Sequence, residues 1–425
     1  MVGEKPSMKT IRENPQKAGS RSLFKRALAA RRGNVAVVTA LALPVLGGLA
    51  SLALVSGEMA TRRSGLQDRL DAAVLAGATQ TGVPEQIASA KGAFDGNDSR
   101  FVMTASFSST GEIVSGAGES TFANPFGGLI GPKTLTVRTT SAARRGTVGV
   151  CILGLNNLEN GSFDINGSVN FQAPTCAVQA NSGASRGMTQ EGRGVANAAV
   201  FAVHGGSRTV TFTPREGEER TPDPFAGLPF PEHTACEGGK GANKGLKITA
   251  STTLSPGTYC GGIDITGQKV KVTFEPGVYV MADGPLLVRG NAAVEGQEVM
   301  VAFTGDDSTL RVWGDSTASF TSPASGTYKN MQFFQDAQST RAGWVSVGGA
   351  GGDESKLEYD GVAYFPTQNM WIYGNATVLA NSPTLVMVAD KIWFQGNATV
   401  TVTNEDRRNL GLTGPTLTRG ARLVR

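Results

Sequence analysis

Apolar and polar positions alternate with three different periods along this chain. From Gly33 to Gly57 no residue is charged, and Val35 to Val55, with Pro44 inside, is almost unbroken apolar character over 21 residues. At about 1.5 Å per residue such a helix is about 31 Å long, which matches the roughly 30 Å hydrocarbon core of a bilayer. Behind it Met59, Leu66, Leu70, Ala73, Val74 and Gly77 recur at helical spacing among Arg62, Arg63, Gln67, Asp68 and Asp71, an amphipathic continuation. Residues 80–100 are small and polar and end the helix. Phe101–Phe107 and Thr134–Thr140 are strand-like and flank a glycine-rich loop at Asn124-Pro125-Phe126-Gly127-Gly128. After Val150 a short unit recurs: an apolar strand residue, a spacer, Gly, often Asn, then small and β-branched residues. Its corners are Gly167, Gly267, Gly290-Asn291, Gly314, Gly374-Asn375 and Gly396-Asn397.

These corners are 23 (267 to 290), 24 (290 to 314) and 22 (374 to 396) residues apart, and the 100 residues from 167 to 267 amount to four such periods. A period in the low twenties with Gly or Asn at each corner is the signature of stacked parallel coils that share one core. The fold class expected is therefore mainly β: an N-terminal transmembrane helix, a small α+β module, and a right-handed parallel β-helix-like repeat body. A β-sandwich, with turn signals every 8–12 residues, is the alternative. The 60-residue gap between Gly314 and Gly374 calls for an insertion, assigned to 339–355. The Pro-, Gly- and charge-rich stretch 205–245 reads as an excursion between coils. The domain plan is a basic tail (1–32), a transmembrane helix with amphipathic extension (33–79), a membrane-proximal module (80–147), the repeat body (148–405) and a C-terminal tail (406–425).

Charge then fixes the topology expected. The chain carries +4 overall, but residues 1–32 hold nine Lys/Arg against Glu4 and Glu13, which leaves −3 for the rest. Basicity confined to a tail excludes nucleic-acid binding by the body and, by the positive-inside rule, places the N-terminus in the cytoplasm and everything after residue 57 outside. A cleaved signal peptide has a shorter apolar region, of about 7–15 residues, and a buried core helix lacks the flanking asymmetry. The helix 57–79 offers a stripe for packing on the chain's own body or for self-association.

Four cysteines outside the cytoplasm favour oxidation. Cys151 and Cys176 are 25 residues apart and Cys236 and Cys260 are 24 apart, one coil each, so Cys151–Cys176 and Cys236–Cys260 are the pairings expected.

Candidate reaction chemistry is sparse. Only two histidines are present. His204, His233, Cys236 and Cys260 can be drawn as a zinc set, but the disulfides use the cysteines. Asp306-Asp307 is the one carboxylate pair in the repeats, and adjacent strand residues point to opposite faces. A β-helix polysaccharide lyase or hydrolase needs clustered carboxylates, or a metal with an Arg or Lys base, on one face, so neither catalytic nor metal residues nor a cofactor is expected. Asn-Ala-Thr at 375 and 397 matches a glycosylation acceptor but reads more simply as a turn. Trp313, Trp371, Tyr373 and Trp393 lie near repeat corners; they serve coil-edge packing or, in a surface adhesin, contact glycans.

Three stretches carry a family resemblance: Arg31-Arg32-Gly33-Asn34-Val35-Ala36-Val37, Ala40-Leu41-Ala42-Leu43-Pro44 and Leu66-Gln67-Asp68-Arg69-Leu70-Asp71-Ala72-Ala73-Val74-Leu75-Ala76. With Cys151-Ile152-Leu153, Ala173-Pro174-Thr175-Cys176, Pro256-Gly257-Thr258-Tyr259-Cys260-Gly261-Gly262, Pro276-Gly277-Val278-Tyr279-Val280, Gln332-Phe333-Phe334-Gln335-Asp336 and Tyr364-Phe365-Pro366, the chain resembles TadE/TadG-like proteins of the tight-adherence (Flp) pilus system. The resemblance implies a single-pass inner-membrane component with a periplasmic body, working as an accessory scaffold beside other pilus assembly and secretion components. Prepilins carry glutamate at the fifth mature position, where this chain has Val38. The metal-loop pattern of many TadG-like proteins is matched only by Asp315-Ser316-Thr317-Ala318-Ser319, on a repeat corner, and is read as a turn.

Overall fold

The computed structural model describes residues 34–80, 82–94, 97–98, 101–128, 131–237, 245–339, 343–349, 353–382, 385–403 and 415–424. The basic tail, residues 1–32, and Gly33 lie outside this range.

Helix α1 (Asn34–Ala78) fuses the apolar stretch and its amphipathic continuation into 45 residues with Pro44 inside. It is one helix long and apolar enough to cross a membrane. Leu41, Leu43, Leu49, Leu52 and Leu54 are each at least 60% exposed, whereas Leu66, Leu70, Ala73 and Val74 are fully buried. The amphipathic stripe is thus covered by the chain itself. Helix α2 (Val83–Ala93) crosses α1 so closely that a Cβ at Gly77 would sit 2.7 Å from the Gln86 carbonyl.

The described strands are numbered β1 to β30 in chain order. β2 (Phe101–Ser109), β3 (Ile113–Ala123), β4 (Thr134–Gly154) and β30 (Thr416–Leu423) form an antiparallel sheet under α1. Three expectations are corrected here. The segment between the two strand-like runs holds a full strand, β3, whose Ser-Gly-Ala-Gly sequence hid it. Residues 416–423 are no tail: they pair with β4 and close the sheet edge. β4 is also too long for the boundary drawn at 147/148, because its first part belongs to this sheet and Ile152–Gly154 to the body.

The body consists of parallel ladders. The first, in spatial order, runs Leu246–Ile248 (β10), Ile263–Thr266 (β13), Leu286–Arg289 (β16), Leu310–Trp313 (β19), Trp344–Gly348 (β22), Asn369–Ile372 (β25), Ile392–Gly396 (β28), Phe163–Gly167 (β5), Met188–Gly192 (β7) and Ser207–Arg208 (β9). The order is not that of the chain. The last strands of the repeat stack on the first: β28 pairs with β5, β29 (Thr399–Thr403) with β6 (Asn170–Ala180), and β27 (Met387–Ala389) with the end of β4, all parallel. Gly167 therefore does not precede Gly267 by four periods; it sits on Gly396, where an added Cβ would meet the Gly396 carbonyl at 2.8 Å, and Gly192 sits on Gly167 at 2.4 Å by the same measure. With φ of +79°, +99° and +99° at Gly396, Gly167 and Gly192, a side chain is excluded twice over.

The 60-residue gap is likewise not one insertion at 339–355. Trp344–Gly348 is a regular strand, and Gly349 is a corner, its carbonyl 2.6 Å from where a Gly374 Cβ would stand. The extra length lies at 322–330, before β21 (Met331–Gln335), and at 336–343. Within the excursion assigned to 205–245, Ser207–Arg208 still pair with β7.

Inward side chains of the ladders build one continuous core, including Phe163, Phe171, Phe394, Phe333 and Val378. A second ladder holds β29 and the first part of β6; the third, with β15 (Gly277–Ala282), β18 (Val299–Thr304), β21, β24 (Val362–Phe365), β27, the end of β4 and the later halves of β6 and β8 (Val195–Val203), is buried on both sides. Residues 209–237 cause this. The stacking order obliges the chain to return from β9 to β10 at the opposite end, and this segment does so as a strap. Phe212 stacks on Phe201 at 3.8 Å, and Arg215 exchanges backbone hydrogen bonds with Phe201 and Val203 of the edge strand β8. The Gln179 and Asn181 side-chain amides each donate to strap carbonyls, of Glu219 and Thr221, at 2.7 Å. Phe225 and Phe230 then pack on Tyr364 and Phe334.

Both disulfides are formed: Cys151–Cys176 and Cys236–Cys260, each with Cα atoms 5.7 Å apart. The first ties neighbouring layers inside the core. The second does not join two coils, since Cys236 belongs to the strap; it ties the strap's end to β12 (Gly257–Cys260), beside a hydrogen bond from the Thr234 N–H to Thr258 Oγ1.

Candidate binding groove on the uncovered face

Strands of the first ladder alternate, with every second side chain outward; in β22 the outward Ser346 is itself buried. In β19 Leu310 and Val312 point in and Arg311 and Trp313 out. Parallel register then stacks like positions: Arg311 lies beside Ser346, Ser346 beside Trp371, Trp371 beside Trp393 and Trp393 beside Asp164. This gathers all four tryptophans of the chain, Trp313, Trp344, Trp371 and Trp393, with Tyr373, Arg311, Ser346 and Gln395, around one groove of about 510 Å³.

The rings are organised by mutual contact and by hydrogen bonds. Trp344 meets Trp393 and Trp371 edge-on at 5.0 and 5.7 Å, and Trp371 stacks on Tyr373 at 4.1 Å. Three indole N–H groups are engaged internally: Trp313 donates to Ser346 Oγ at 2.8 Å, Trp371 to Gln395 Oε1 at 3.1 Å, and Trp393 to the Gly161 carbonyl at 2.6 Å. The groove therefore offers ring faces and edges more than donors. The Arg311 guanidinium lies 5.7 Å from the Trp313 ring, and the Lys391 ammonium, ion-paired with Glu159, lies 5.5 Å from the Trp393 ring. Burial raises the Tyr373 hydroxyl above its ordinary pKa. Next to Trp393, burial raises the Asp164 carboxyl above its ordinary 3.8, against a lowering hydrogen bond from Thr189. Burial likewise raises Asp390, opposed by Asn156 and Lys391.

Sequence reasoning named Trp313, Trp371, Tyr373 and Trp393 as coil-edge packing or, in a surface adhesin, glycan contacts; the structure places them on one uncovered face. Trp344 was lost inside the supposed insertion. The alternation Trp344-Val345-Ser346-Val347 before Gly348-Gly349 is the signal that identifies its strand. The zinc set does not form. Cys236 and Cys260 are disulfide-bonded, His204 Nδ1 is paired with the Glu218 carbonyl, and among the described residues no three His, Cys, Asp or Glu side chains cluster as a metal site. Asp307 and Asp315 are left-handed corner residues, with φ of +58° and +56°, and Asp315 Oδ1 accepts the Glu354 N–H at 2.7 Å. Asn397 donates to Asn375 at the neighbouring corner, 3.2 Å away.

Compared with protein-family models, curated proteins and solved structures, the chain gives no match.

Proposed function

We propose that the chain is a single-pass inner-membrane protein, with residues 1–32 in the cytoplasm and the body in the periplasm, that serves as an accessory scaffold of tight-adherence (Flp) pilus assembly. It works by binding a partner rather than by turnover. The body is read as a right-handed parallel β-helix. What supports the location is the exposed apolar half of α1 together with two disulfides in the body, which persist outside the cytoplasm.

The observation that carries the scaffold reading is continuity. α1 passes unbroken from its exposed apolar half into packing on the antiparallel sheet, and β4 passes unbroken from that sheet into the ladders. A body joined to its anchor in this way presents a defined face, and the tryptophan groove is the surface offered for binding. A second reading, a glycan-binding surface adhesin, is favoured by the groove's aromatic lining.

Two experiments test the proposal. An alkaline phosphatase fusion after residue 80 is expected to be active, and an inactive fusion with an active cytoplasmic reporter at the same point contradicts the topology. Cells lacking the protein are expected to lose tight-adherence pili and to regain them with the full chain; normal piliation without it contradicts the scaffold role.

A further inference from the structure

The groove lining is chemically lopsided. It contains one cation, Arg311, and no carboxylate. On the same outer face Arg289 is paired with Asp264 at 2.8 Å, Arg208 with Glu191 at 3.4 Å, and Lys391 with Glu159. Arg311 has no carboxylate partner among the described residues; it rests against the Trp313 ring. The remaining surface is aromatic, with short polar side chains between the rings. The four tryptophans come from four consecutive strands about 4.8 Å apart, so the aromatic surface runs about 14 Å along the ladder, room for a short run of sugars over rings that meet edge-on. Sugars suit indole and phenol faces through their C–H surfaces while keeping their hydroxyls for water and for the exposed Gln395 amide. A proline-rich peptide, the other common occupant of aromatic grooves, wants indole N–H donors for its carbonyls, and three of the four are already committed.

We infer that this groove binds a linear acidic polysaccharide, with sugar rings on Trp344, Trp371 and Trp393 and an anionic substituent paired with Arg311. The inference rests on the groove being a binding face, as proposed above, but not on the pilus assignment.

The test uses the full-length protein in detergent or nanodiscs, with tryptophan fluorescence and calorimetry as readouts. Hexagalacturonate, cellohexaose and a decaproline peptide are the probes. Saturable binding of hexagalacturonate is expected, weakening as salt rises and stronger than binding of either other probe. Trp371→Ala and Trp393→Ala are expected to weaken it at least tenfold, and Trp371→Phe to retain most of it. Arg311→Gln is expected to weaken hexagalacturonate at least tenfold and to leave any cellohexaose binding unchanged. Melting curves on each variant establish that the fold survives. Absence of saturable hexagalacturonate binding overturns the inference. So does binding unaffected by Trp371→Ala, or a preference for decaproline. If hexagalacturonate fails to bind while Trp371→Ala still abolishes pili, the groove remains the partner face and only its occupant is wrong.

Discussion

Two outer faces of the same body carry aromatic side chains, and they have opposite fates. On the third ladder Phe334 and Tyr364 are covered by the strap, through Phe230 and Phe225, and Tyr364 donates a hydrogen bond to Asp223 at 2.7 Å. On the first ladder Trp313, Trp344, Trp371 and Trp393 line a groove that no segment of the described chain fills. The covered face reads in sequence as near-continuous apolar strands, such as Val299–Thr304 and Val362–Phe365, because both sides are buried. The open face keeps a two-residue alternation. The rings of the covered face are taken up by the strap, whereas those of the open face contact one another and leave a groove, and that separates a surface kept for binding from one kept for folding.

Substitutions can break this comparison at several strengths. Val378 is fully buried in the core beneath both faces. Val378→Asp would bury an unpaired charge there and is expected to cost more than about 4 kcal/mol, seen as loss of the cooperative melt. Under the strap, Phe334→Ala is expected to cost about 3–5 kcal/mol in chemical denaturation, whereas Trp371→Ala on the open face, losing its ring contacts with Tyr373 and Trp344, should cost less, about 1–2 kcal/mol. Equal costs would mean that the two faces are alike. Replacing both Cys236 and Cys260 by serine releases the strap's end and is expected to cost about 3 kcal/mol in the chain-entropy model. Limited proteolysis should then cut first within 205–237.

The pH dependence is a smaller effect on the open side. A carboxyl raised above its ordinary value holds its proton more tightly in the folded chain than in the unfolded one. Stability therefore falls as pH rises from about the ordinary 3.8 through the raised value of Asp164. Asp164→Asn lacks this loss, so its melting temperature should gain on the wild type between pH 3 and pH 7; a constant difference would contradict the cause assigned. Smallest of all, Asp307→Gly is expected to be neutral within about 0.5 kcal/mol, since glycine accepts the left-handed corner that Asp307 adopts.

Much of this architecture was legible in the sequence, for physical reasons. The corner glycines were, because the φ > 0 geometry at Gly290, Gly314, Gly374 and Gly396 leaves few other choices. Both disulfide pairings were, although for Cys236–Cys260 the spacing gave the right pair for the wrong reason. The stacking order was not, because parallel pairing between β28 and β5 leaves no mark of which strand comes first in the chain. Nor was β30, whose partner lies about 270 residues earlier. The groove was half visible: Trp313, Trp371 and Trp393 could be named, but their convergence depends on register across β19, β22, β25 and β28, and local sequence does not fix register between coils with unequal loops.

The claim that the uncovered tryptophan face is what the anchored body presents to its partner is tested most directly by piliation of cells carrying the Trp371→Ala, Trp393→Ala double variant. We expect the variant to reach wild-type abundance in the membrane fraction and to melt cooperatively, yet to reduce pili per cell at least tenfold. Wild-type pilus numbers from a folded, abundant double variant would contradict the account.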